Sequence, residues 1–349
     1  MIMLTNPSMS YAELTLPLPE APEIWMATSA SEWKSRYIEK NSRYTKRIPS
    51  VGDLFHDIHH LNSNDPRLDT QYCISIYLHA FWSLILEYRQ LSTVSRSRSY
   101  ANSLDNTPNV VLGSRYSELV KDLQNFHRLA SHWQDMSPRE QVLLNLLMLN
   151  LHVSLEDIYL FTGKDGLEEA RQIYPILADW ITSTEARSAL WCAGQIVRHA
   201  RLFPQGRLKD FYAMALYQAA LTLWVFGVIN IATGQSHSSP YGRELVYLDA
   251  ADTLHIQRFI GLGQGVPAIN GSALGGEAGG TQTAPRAPIP ATPVLLDNPQ
   301  RCMQVINNVL SANHSASRTS NGYVPALVEN VGRLIDELED GAQAAIPMR

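Results

Sequence analysis

Three histidines lie close together in the segment Ser50–Leu61, which reads SVGDLFHDIHHL. If this segment is helical, His56, His59 and His60 project from one side of it, and imidazole nitrogens at this spacing can bind zinc. No glutamate directly follows the first histidine, as it does in the H-E-x-x-H zinc motif. The histidines also flank an apolar stripe, and histidine is often only half-buried. We therefore interpret them as a partly exposed helix surface and predict no metal site.

A second candidate is the pair His152 and Glu156, which stand four residues apart in LHVSLED. A histidine and a carboxylate at this distance can act as an acid–base pair or as metal ligands. A catalytic site needs a further converging group, which the sequence does not identify. The segment from Ser154 also fits a local helix cap, so we predict no catalytic residue here.

Two further patterns have a simpler explanation than chemistry. Cys192 lies in the apolar stretch Leu190-Trp191-Cys192-Ala193 with no evident base, which favours a buried cysteine that packs as a small hydrophobic side chain. Gly261, Gly263 and Gly265 resemble a phosphate-binding loop, but neither the preceding strand nor the following helix is predicted. We expect a flexible linker and no cofactor-binding residue.

The charged residues argue against autonomous nucleic-acid binding. They make up 17% of the chain, and the net charge of -5 leaves no basic surplus to neutralise phosphates. Two basic clusters could still serve as a nuclear import signal or contact phosphates, but no aromatic residues interleave with them as in a nucleic-acid platform. Solvated loops are favoured for both: Lys40, Arg43, Lys46 and Arg47, and then Arg96 and Arg98.

Composition predicts a globular protein. A length of 349 residues with 45% hydrophobic content suits one large or two modest domains. Cys73, Cys192 and Cys302 are isolated, which predicts neither a paired zinc knuckle nor a disulfide framework. The segment Met1–Tyr11 lacks the features of a secretory signal, so we expect a cytoplasmic or nuclear protein.

The elements that must position these residues are predicted to be helices throughout, an all-α fold with no strand. Three helix starts carry capping signals: Ser29 with Glu32, Ser137-Pro138-Arg139-Glu140, and Thr182 with Glu185. A long helix is predicted over Gln71–Gln90, followed by a polar loop over Ser92–Val110. Another helical stretch is predicted over Leu245–Ile260.

The chain divides by composition into four predicted parts. Residues 1–22 form an extended arm, 23–260 the main helical domain, 261–293 a flexible Gly/Ala/Pro-rich linker and 294–349 a C-terminal helical segment that packs on the main domain. This last part contains two helices, around Arg301–Leu310 and Val324–Leu338.

The stretch Phe211–Ala232 carries no formal charge and is long enough to cross a membrane. It contains Gln218, Thr222 and Asn230, and it lies among several amphipathic helices that need a partner for their apolar faces. A helix that is hydrophobic all round is either a membrane span or the central helix of a large helical protein. We favour the central helix.

Three consecutive segments carry a resemblance to a known family: LNLHVSLEDIYLFTGKDGLEEARQIYPILADW, EARSALWCAGQIVRHARLFP and LKDFYAMALYQAALTLWVFG. They resemble the regulatory domain of fungal zinc-finger transcription factors, and weaker similarity extends over most of residues 50–340. The residues taken as the structural signature of this resemblance are Gly163, Gly166, Trp180, Trp191, Gly194, Gln195 and Trp224.

The resemblance implies a nuclear, helical domain that follows a C2H2-type zinc-finger module and regulates transcription. Its implied partners are the transcription machinery or co-regulator proteins, with a small-molecule effector possible and no membrane. No C-x-x-C with a downstream histidine pair occurs here, so DNA contact and zinc are expected only in a finger module absent from this sequence.

Two departures from the family pattern concern Cys192 and Gln218, which stand where related sequences carry histidine. They weaken the case for a histidine-based site. Two alternatives to the regulatory role remain at this point: an all-α enzyme with an apolar pocket, and a membrane-associated protein that uses residues 211–232.

Overall fold

The computed structural model describes residues 15–61, 65–101, 110–130, 136–234, 244–271, 292–315 and 323–345. The chain divides into two compact units, which we call the N-terminal unit (Met3–Glu140) and the C-terminal unit (Gln141–Arg349). The boundary falls in the first turn of a helix, whereas the sequence had predicted one main domain over residues 23–260.

The N-terminal unit is helical over most of its described residues. Its helices are α1 (Pro22–Trp25), α2 (Ala30–Asn41), α3 (Val51–His56), a 3-10 turn (Ile58–His60), α4 (Thr70–Ala101) and α5 (Val110–Ala130). The extended stretch before α1 makes two isolated bridges, Pro17 with Ser50 and Glu20 with Leu68. These bridges tie the described end of the predicted arm to the helices.

Helix starts in this unit follow from local capping. Ser29 accepts a hydrogen bond from the backbone N–H of Glu32, as predicted. Ser50 and Asp53 form a reciprocal capping box at α3, which satisfies backbone donors that the helix leaves without partners. The polar loop predicted over Ser92–Val110 is wrong as far as Ala101, because α4 continues to that residue. Residues 102–109 lie outside the described residues.

The C-terminal unit contains the remaining elements. Its helices are α6 (Pro138–His152, which begins at the unit boundary), α7 (Leu155–Phe161), α8 (Leu167–Trp180), α9 (Thr184–Ala200), α10 (Phe211–Ala232), α11 (Leu254–Leu262), α12 (Pro299–Asn313) and α13 (Ala326–Ala345). Pro175 lies inside α8 without ending it. The N-cap of α9 is Ser183, one residue beyond the predicted capping position.

Helix α10 is the centre of this unit. It packs against α9, α12 and α13, and most of its side chains are buried. Within the described residues it is the one helix that is by itself long and apolar enough to cross a membrane; the sharply bent pair α6 and α7 passes the same test only if taken together. Burial by neighbouring helices accounts for the apolar surface of α10 without a membrane.

The fold is mainly α-helical, so the predicted multi-helix class is confirmed, but the absence of strands is not. A small sheet in the order β1-β2-β3 joins Leu245–Tyr247, Val266–Asn270 and Pro293–Leu295, with β1 parallel and β3 antiparallel to β2. Strand β1 replaces the start of the helix predicted over Leu245–Ile260.

The predicted flexible linker over residues 261–293 is therefore wrong at its described ends. Val266, Ala268 and Ile269 of β2 are buried, so this short apolar run does pack against the helices. Gly263 ends α11 in a left-handed conformation (φ 68°), and Gly265 turns the chain into β2 (φ 105°). Residues 272–291 lie outside the described residues.

Candidate functional site

A cleft of about 580 Å³ lies within the N-terminal unit, between α3 with its 3-10 turn, α4 and α5. Helix α4 packs against both α3 and α5, so the three elements position its walls. Apolar, aromatic, charged and imidazole side chains line it together: Leu54, Phe55, His56, Asp57, Ile58, His59, Tyr77, Asp122, Asn125, Arg128 and Leu129.

Aromatic rings form the base of this cleft. Tyr77 of α4 contacts Phe55 of α3 at a centroid distance of 5.3 Å and Phe126 of α5 at 5.2 Å. Phe81, one turn along α4, lies 5.9 Å from both Phe55 and Tyr77. Tyr77, Phe81 and Phe126 are buried, so these packed rings give the cleft a rigid apolar base.

Some polar side chains of the cleft form hydrogen bonds within the protein, and others form none with the described residues. The Tyr77 side chain is only 4% exposed, and its hydroxyl makes no hydrogen bond with any described residue. Burial, together with the nearby Asp122 carboxylate, raises the pKa of Tyr77. Burial and the charge of Glu118 in turn raise the pKa of Asp122. Arg128 differs from these groups because it donates a hydrogen bond to the Asn125 amide oxygen.

All three histidines of the cluster are exposed. His56 and His59 line the cleft, whereas His60 lies outside its lining, with Nδ1 2.9 Å from the carbonyl oxygen of Asp57. No group of three or more His, Cys, Asp or Glu side chains in the described part of the chain is arranged to hold a metal ion.

Gly194 and Gln195 of the structural signature have a shared structural role in the C-terminal unit. A Cβ on Gly194 would lie 2.4 Å from the carbonyl oxygen of Leu248, so only glycine allows this approach of α9 to the chain after β1. The Gln195 amide donates hydrogen bonds of 2.8 Å to the carbonyls of Leu248 and Ala250. We call this contact the α9 clamp.

A buried ion pair extends the α9 clamp to the sheet. Arg201, just beyond α9, pairs with Asp249, whose side chain is 1% exposed. Asp249 accepts hydrogen bonds from the backbone N–H of Asn270 at the end of β2, and Arg201 donates to the carbonyl of the same residue. Each charged group is thereby paired inside the fold.

The tryptophans of the structural signature lie in or beside the core. Trp224 is 9% exposed, and its indole N–H donates to the carbonyl of Leu338 in α13 at 2.7 Å. Trp180 donates to the carbonyl of His152 at 3.1 Å. Trp180 and Trp191 are half-buried, as is Trp82 in the N-terminal unit.

The other two glycines of the structural signature lie between α7 and α8. Gly163 and Gly166 have φ angles of 89° and 120°, and Gly166 is the N-cap residue of α8. Such backbone conformations favour glycine because a side chain would be strained there. Together with the α9 clamp, Trp180 and Trp224, they place six of the seven signature residues at packing contacts and turns.

The remaining candidates are not arranged for catalysis. His152 is buried at the end of α6, whereas Glu156 is exposed on α7, beyond a bend of 74°. Burial raises the pKa of the Cys192 thiol to about 12, which disfavours the reactive thiolate. Gln218 donates to the Tyr159 hydroxyl at 3.2 Å, but its buried Oε1 has no hydrogen-bond partner among the described residues.

The first basic cluster is only partly free. Lys40 pairs with Glu23 and Arg47 pairs with Asp53. Arg43 and Lys46 have no ion-pair partner among the described residues and are exposed. Arg96 and Arg98 belong to α4 instead of a loop, and their side chains lie outside the described structure.

Comparison with known proteins gives one consistent result. The chain is similar to fungal transcription factors. It is 25% identical to a transcription factor of Zymoseptoria tritici over 89% of its own length and 34% of that protein. Identity is 24% with transcription factor 1 of Elsinoe fawcettii, over 77% of this chain and 30% of the relative. It is 23% with transcription factor PfmaH of Pestalotiopsis fici, over 67% of this chain and 25% of the relative.

These relatives confirm the resemblance to fungal transcription factors that the sequence segments carry. The chain spans only about a third of the length of the first of them. No family model and no solved structure matches the chain.

Sequence reasoning found the histidines of the cleft but missed its other members. Tyr77 reads as one more apolar position in the α4 pattern, and Asp122 as an ordinary charge on a helix surface. The sequence of α5 did contain one signal for the cleft. Apolar residues recur at Leu119, Leu123 and Phe126, and this spacing predicts a helix face that packs against another element. That pattern does not reveal which helix it packs against.

Proposed function

We propose that this chain is a regulatory segment of a nuclear fungal transcription factor and that it does not itself read DNA. The observation that carries the proposal is the similarity of 89% of the chain to a stretch making up 34% of one such transcription factor. A similarity of this extent concerns a folded region, because a match over 89% of the chain extends into both compact units.

The charge distribution supports the second half of the proposal. The net charge is -5, and two cations of the basic cluster, Lys40 and Arg47, are neutralised by carboxylates of the same unit. Non-specific DNA affinity depends on the number of phosphates that free cations neutralise. DNA contact is therefore assigned to a zinc-finger module elsewhere in the full-length protein, and zinc belongs with that module.

The N-terminal unit supports a role in binding a co-regulator or the transcription machinery. Helix α2 has no buried residue, and Trp33 and Tyr37 stack at 5.1 Å on its exposed surface. Lys34 and Arg43 stand nearby in sequence without ion-pair partners among the described residues. Exposed aromatic surface beside free cations suits a protein partner with an acidic, apolar contact segment.

A reporter assay tests the regulatory role. The complete chain, fused to an unrelated DNA-binding module, is expected to change transcription from a matching promoter relative to the module alone. The Trp33→Ala/Tyr37→Ala fusion should lose most of this change, because both substituted side chains lie on the proposed contact surface. A fusion that is folded, nuclear and silent at all promoters tested would contradict the proposal.

A gel-shift assay tests the absence of DNA reading. The isolated chain is expected to bind DNA feebly, without sequence preference, and with an affinity that falls steeply as salt is raised. Sequence-selective binding that persists at high salt would contradict this part of the proposal. The reporter assay and the gel-shift assay can contradict the regulatory role and the absence of DNA reading separately, because neither result depends on the other.

A further inference from the structure

The cleft of the N-terminal unit combines a closed aromatic base with polar groups that lack partners. Tyr77 is 4% exposed, yet its hydroxyl has no hydrogen-bond partner among the described residues. A hydroxyl that forms no hydrogen bond within the protein can still donate one hydrogen bond and accept others. Because Tyr77 lines the cleft, this hydroxyl is available to a molecule bound there.

We propose that the cleft binds a small aromatic amine, with its ring against Phe55, a hydrogen bond to the Tyr77 hydroxyl and its protonated nitrogen beside Asp122. This inference does not depend on the transcriptional role. It names the chemical class of an effector, and its test uses binding to the isolated chain as the readout.

The size of the cleft fits a small molecule. Its volume of about 580 Å³ falls within the range of roughly 300 to 1,000 Å³ that small-molecule pockets occupy. Its lining combines apolar side chains such as Leu54, Ile58 and Leu129 with several polar and charged groups, which suits a ligand that is itself both apolar and charged. A macromolecule would require a broader, flatter surface.

The aromatic base selects an aromatic, cationic ligand. Tyr77 is already packed between Phe55 and Phe126, at centroid distances of 5.3 and 5.2 Å. Phe55 is half-buried and lines the cleft, so a third ring can pack on its exposed surface in offset or edge-to-face geometry. The face of the Phe55 ring also attracts a positive charge. Both effects act on one molecule if the ligand carries a ring and an ammonium group.

The charges of the cleft favour a cation over an anion. Asp57 and Asp122 contribute two carboxylates, whereas the Arg128 guanidinium is engaged with Asn125. Asp57 already accepts a hydrogen bond from the backbone N–H of His59 at 2.9 Å. Asp122 accepts none from the described residues, which leaves it as the anchor for an ammonium group.

The pKa of Asp122 supports this assignment. Burial and the neighbouring Glu118 carboxylate raise it more than the charges of Arg115 and Lys121 lower it, so the charged form of Asp122 is under-stabilised. An ammonium group beside Asp122 would favour the charged form and lower its pKa again. The Tyr77 hydroxyl, which can donate or accept, provides a second hydrogen bond to the ligand.

Three indoles of matched ring and different charge test the proposal. Tryptamine is cationic, 3-methylindole is neutral and indole-3-acetate is anionic near neutral pH. Binding to the full chain is measured by NMR titration. Tryptamine is expected to bind with a dissociation constant on the order of 1 mM or lower, and at least about 10-fold more tightly than indole-3-acetate. Shifted amides should lie in α3, α4 and α5.

Variants separate the roles of the two polar anchors. Asp122→Asn should reduce the preference for tryptamine over indole-3-acetate to about 1, because it removes the charge and keeps the shape. Tyr77→Phe should weaken binding of tryptamine by roughly 5-fold while the aromatic base is retained. Asp179→Asn, at an exposed position on α8, serves as the matched control and should change neither value.

The outcomes are decisive in both directions. A charge preference that disappears in Asp122→Asn but persists in Asp179→Asn supports the cleft as the site. The proposal is overturned if tryptamine does not bind, if the shifted amides lie outside these three helices, or if Asp122→Asn keeps the preference with an unchanged circular dichroism spectrum.

Discussion

The α9 clamp and the cleft use similar residue types in opposite ways. In the C-terminal unit, Gln195, Arg201 and Asp249 direct their polar atoms at one another or at nearby carbonyls and amides. In the N-terminal unit, Tyr77 and Asp122 line an open cleft, and their side-chain oxygens form no hydrogen bonds with described residues. Satisfied polar groups hold a fold together, and unsatisfied ones at a cleft are available for recognition.

Tryptophan shows the same contrast. Trp224 is buried and bonded through its indole N–H, whereas Trp25 is 74% exposed in the N-terminal unit. The structural signature therefore identifies a scaffold, because six of its seven members lie at packing contacts and turns of the C-terminal unit. The candidate recognition surfaces lie in the other unit, outside the segments with the strongest resemblance.

The largest effect is expected from these two tryptophans. Trp224→Ala should lower the free energy of unfolding of the C-terminal unit by about 4 kcal/mol, because it opens a cavity and leaves the Leu338 carbonyl without its donor. Trp25→Ala should lower the free energy of unfolding of the N-terminal unit by less than about 0.5 kcal/mol, because Trp25 is exposed. Amide hydrogen exchange in α10 and in α4 reports the two units separately. Equal costs would refute the contrast.

Two glycines provide the next test. Gly194→Ala should destabilise the C-terminal unit by about 3 kcal/mol, because its Cβ would collide with the Leu248 backbone, which cannot rotate away. Gly113→Ala in α5 meets nothing within 4 Å and should stabilise the N-terminal unit by up to about 1 kcal/mol. Both changes in stability can be measured by urea unfolding, with amide hydrogen exchange used to follow each unit separately. If Gly194→Ala left the stability unchanged, the backbones of α9 and Leu248 would not be in the close contact described above.

Two buried glutamines allow a finer comparison within one unit. Gln195→Leu should lower the free energy of unfolding by about 2 kcal/mol, because the Leu248 carbonyl loses its side-chain donor and the Ala250 carbonyl keeps only that of Arg198. Gln218→Leu should lower the free energy of unfolding by less than about 1 kcal/mol. It removes the 3.2 Å hydrogen bond to Tyr159, but it also removes a buried amide oxygen that has no partner among the described residues. Thermal unfolding of the two variants under identical conditions is sufficient. A reversed order would mean that the orphan oxygen of Gln218 has a partner in solution.

The smallest effect concerns the capping box of α3. The backbone N–H and hydroxyl of Ser50 hydrogen-bond to the Asp53 carboxylate and lower its pKa from 3.8 to about 2. Because the folded-state pKa is depressed, the stabilisation is complete above the usual value and is lost as the pH falls towards about 2. Carbon-detected NMR titration of Asp53 measures this directly. Ser50→Ala should raise its pKa only part of the way to the ordinary value, because the backbone N–H of residue 50 remains. An unchanged pKa would show that the Ser50 hydroxyl does not contribute to the shift.

Local sequence signals predicted the helix starts well where the capping residues are adjacent in the chain. Ser29 caps α2 as predicted, and Ser137 forms hydrogen bonds with Glu140 and the backbone of Arg139 at the start of α6. At α9 the prediction missed by one residue because Thr182 and Ser183 are both capable caps. Such contacts span only a few residues, so the sequence contains both partners.

The strands were missed because the information that makes them lies elsewhere in the chain. Residues 266–270, VPAIN, are too few to show a period, and the Gly-rich surroundings suggested a linker. They form β2 because β1 and β3 pair with them and Asp249 accepts the hydrogen bond of Asn270. Tertiary pairing decides the state of such short segments.

The sequence by itself determined the helical class, the central position of α10 and the resemblance to fungal transcription factors, because apolar periodicity, caps and motif order are all local patterns. Only the tertiary structure decided that Gly194 faces a backbone carbonyl, that the chain folds as two units, and that Tyr77 and Asp122 share a cleft. Tyr77 and Asp122 lie on different helices, and which faces of two helices meet depends on packing that no single segment encodes.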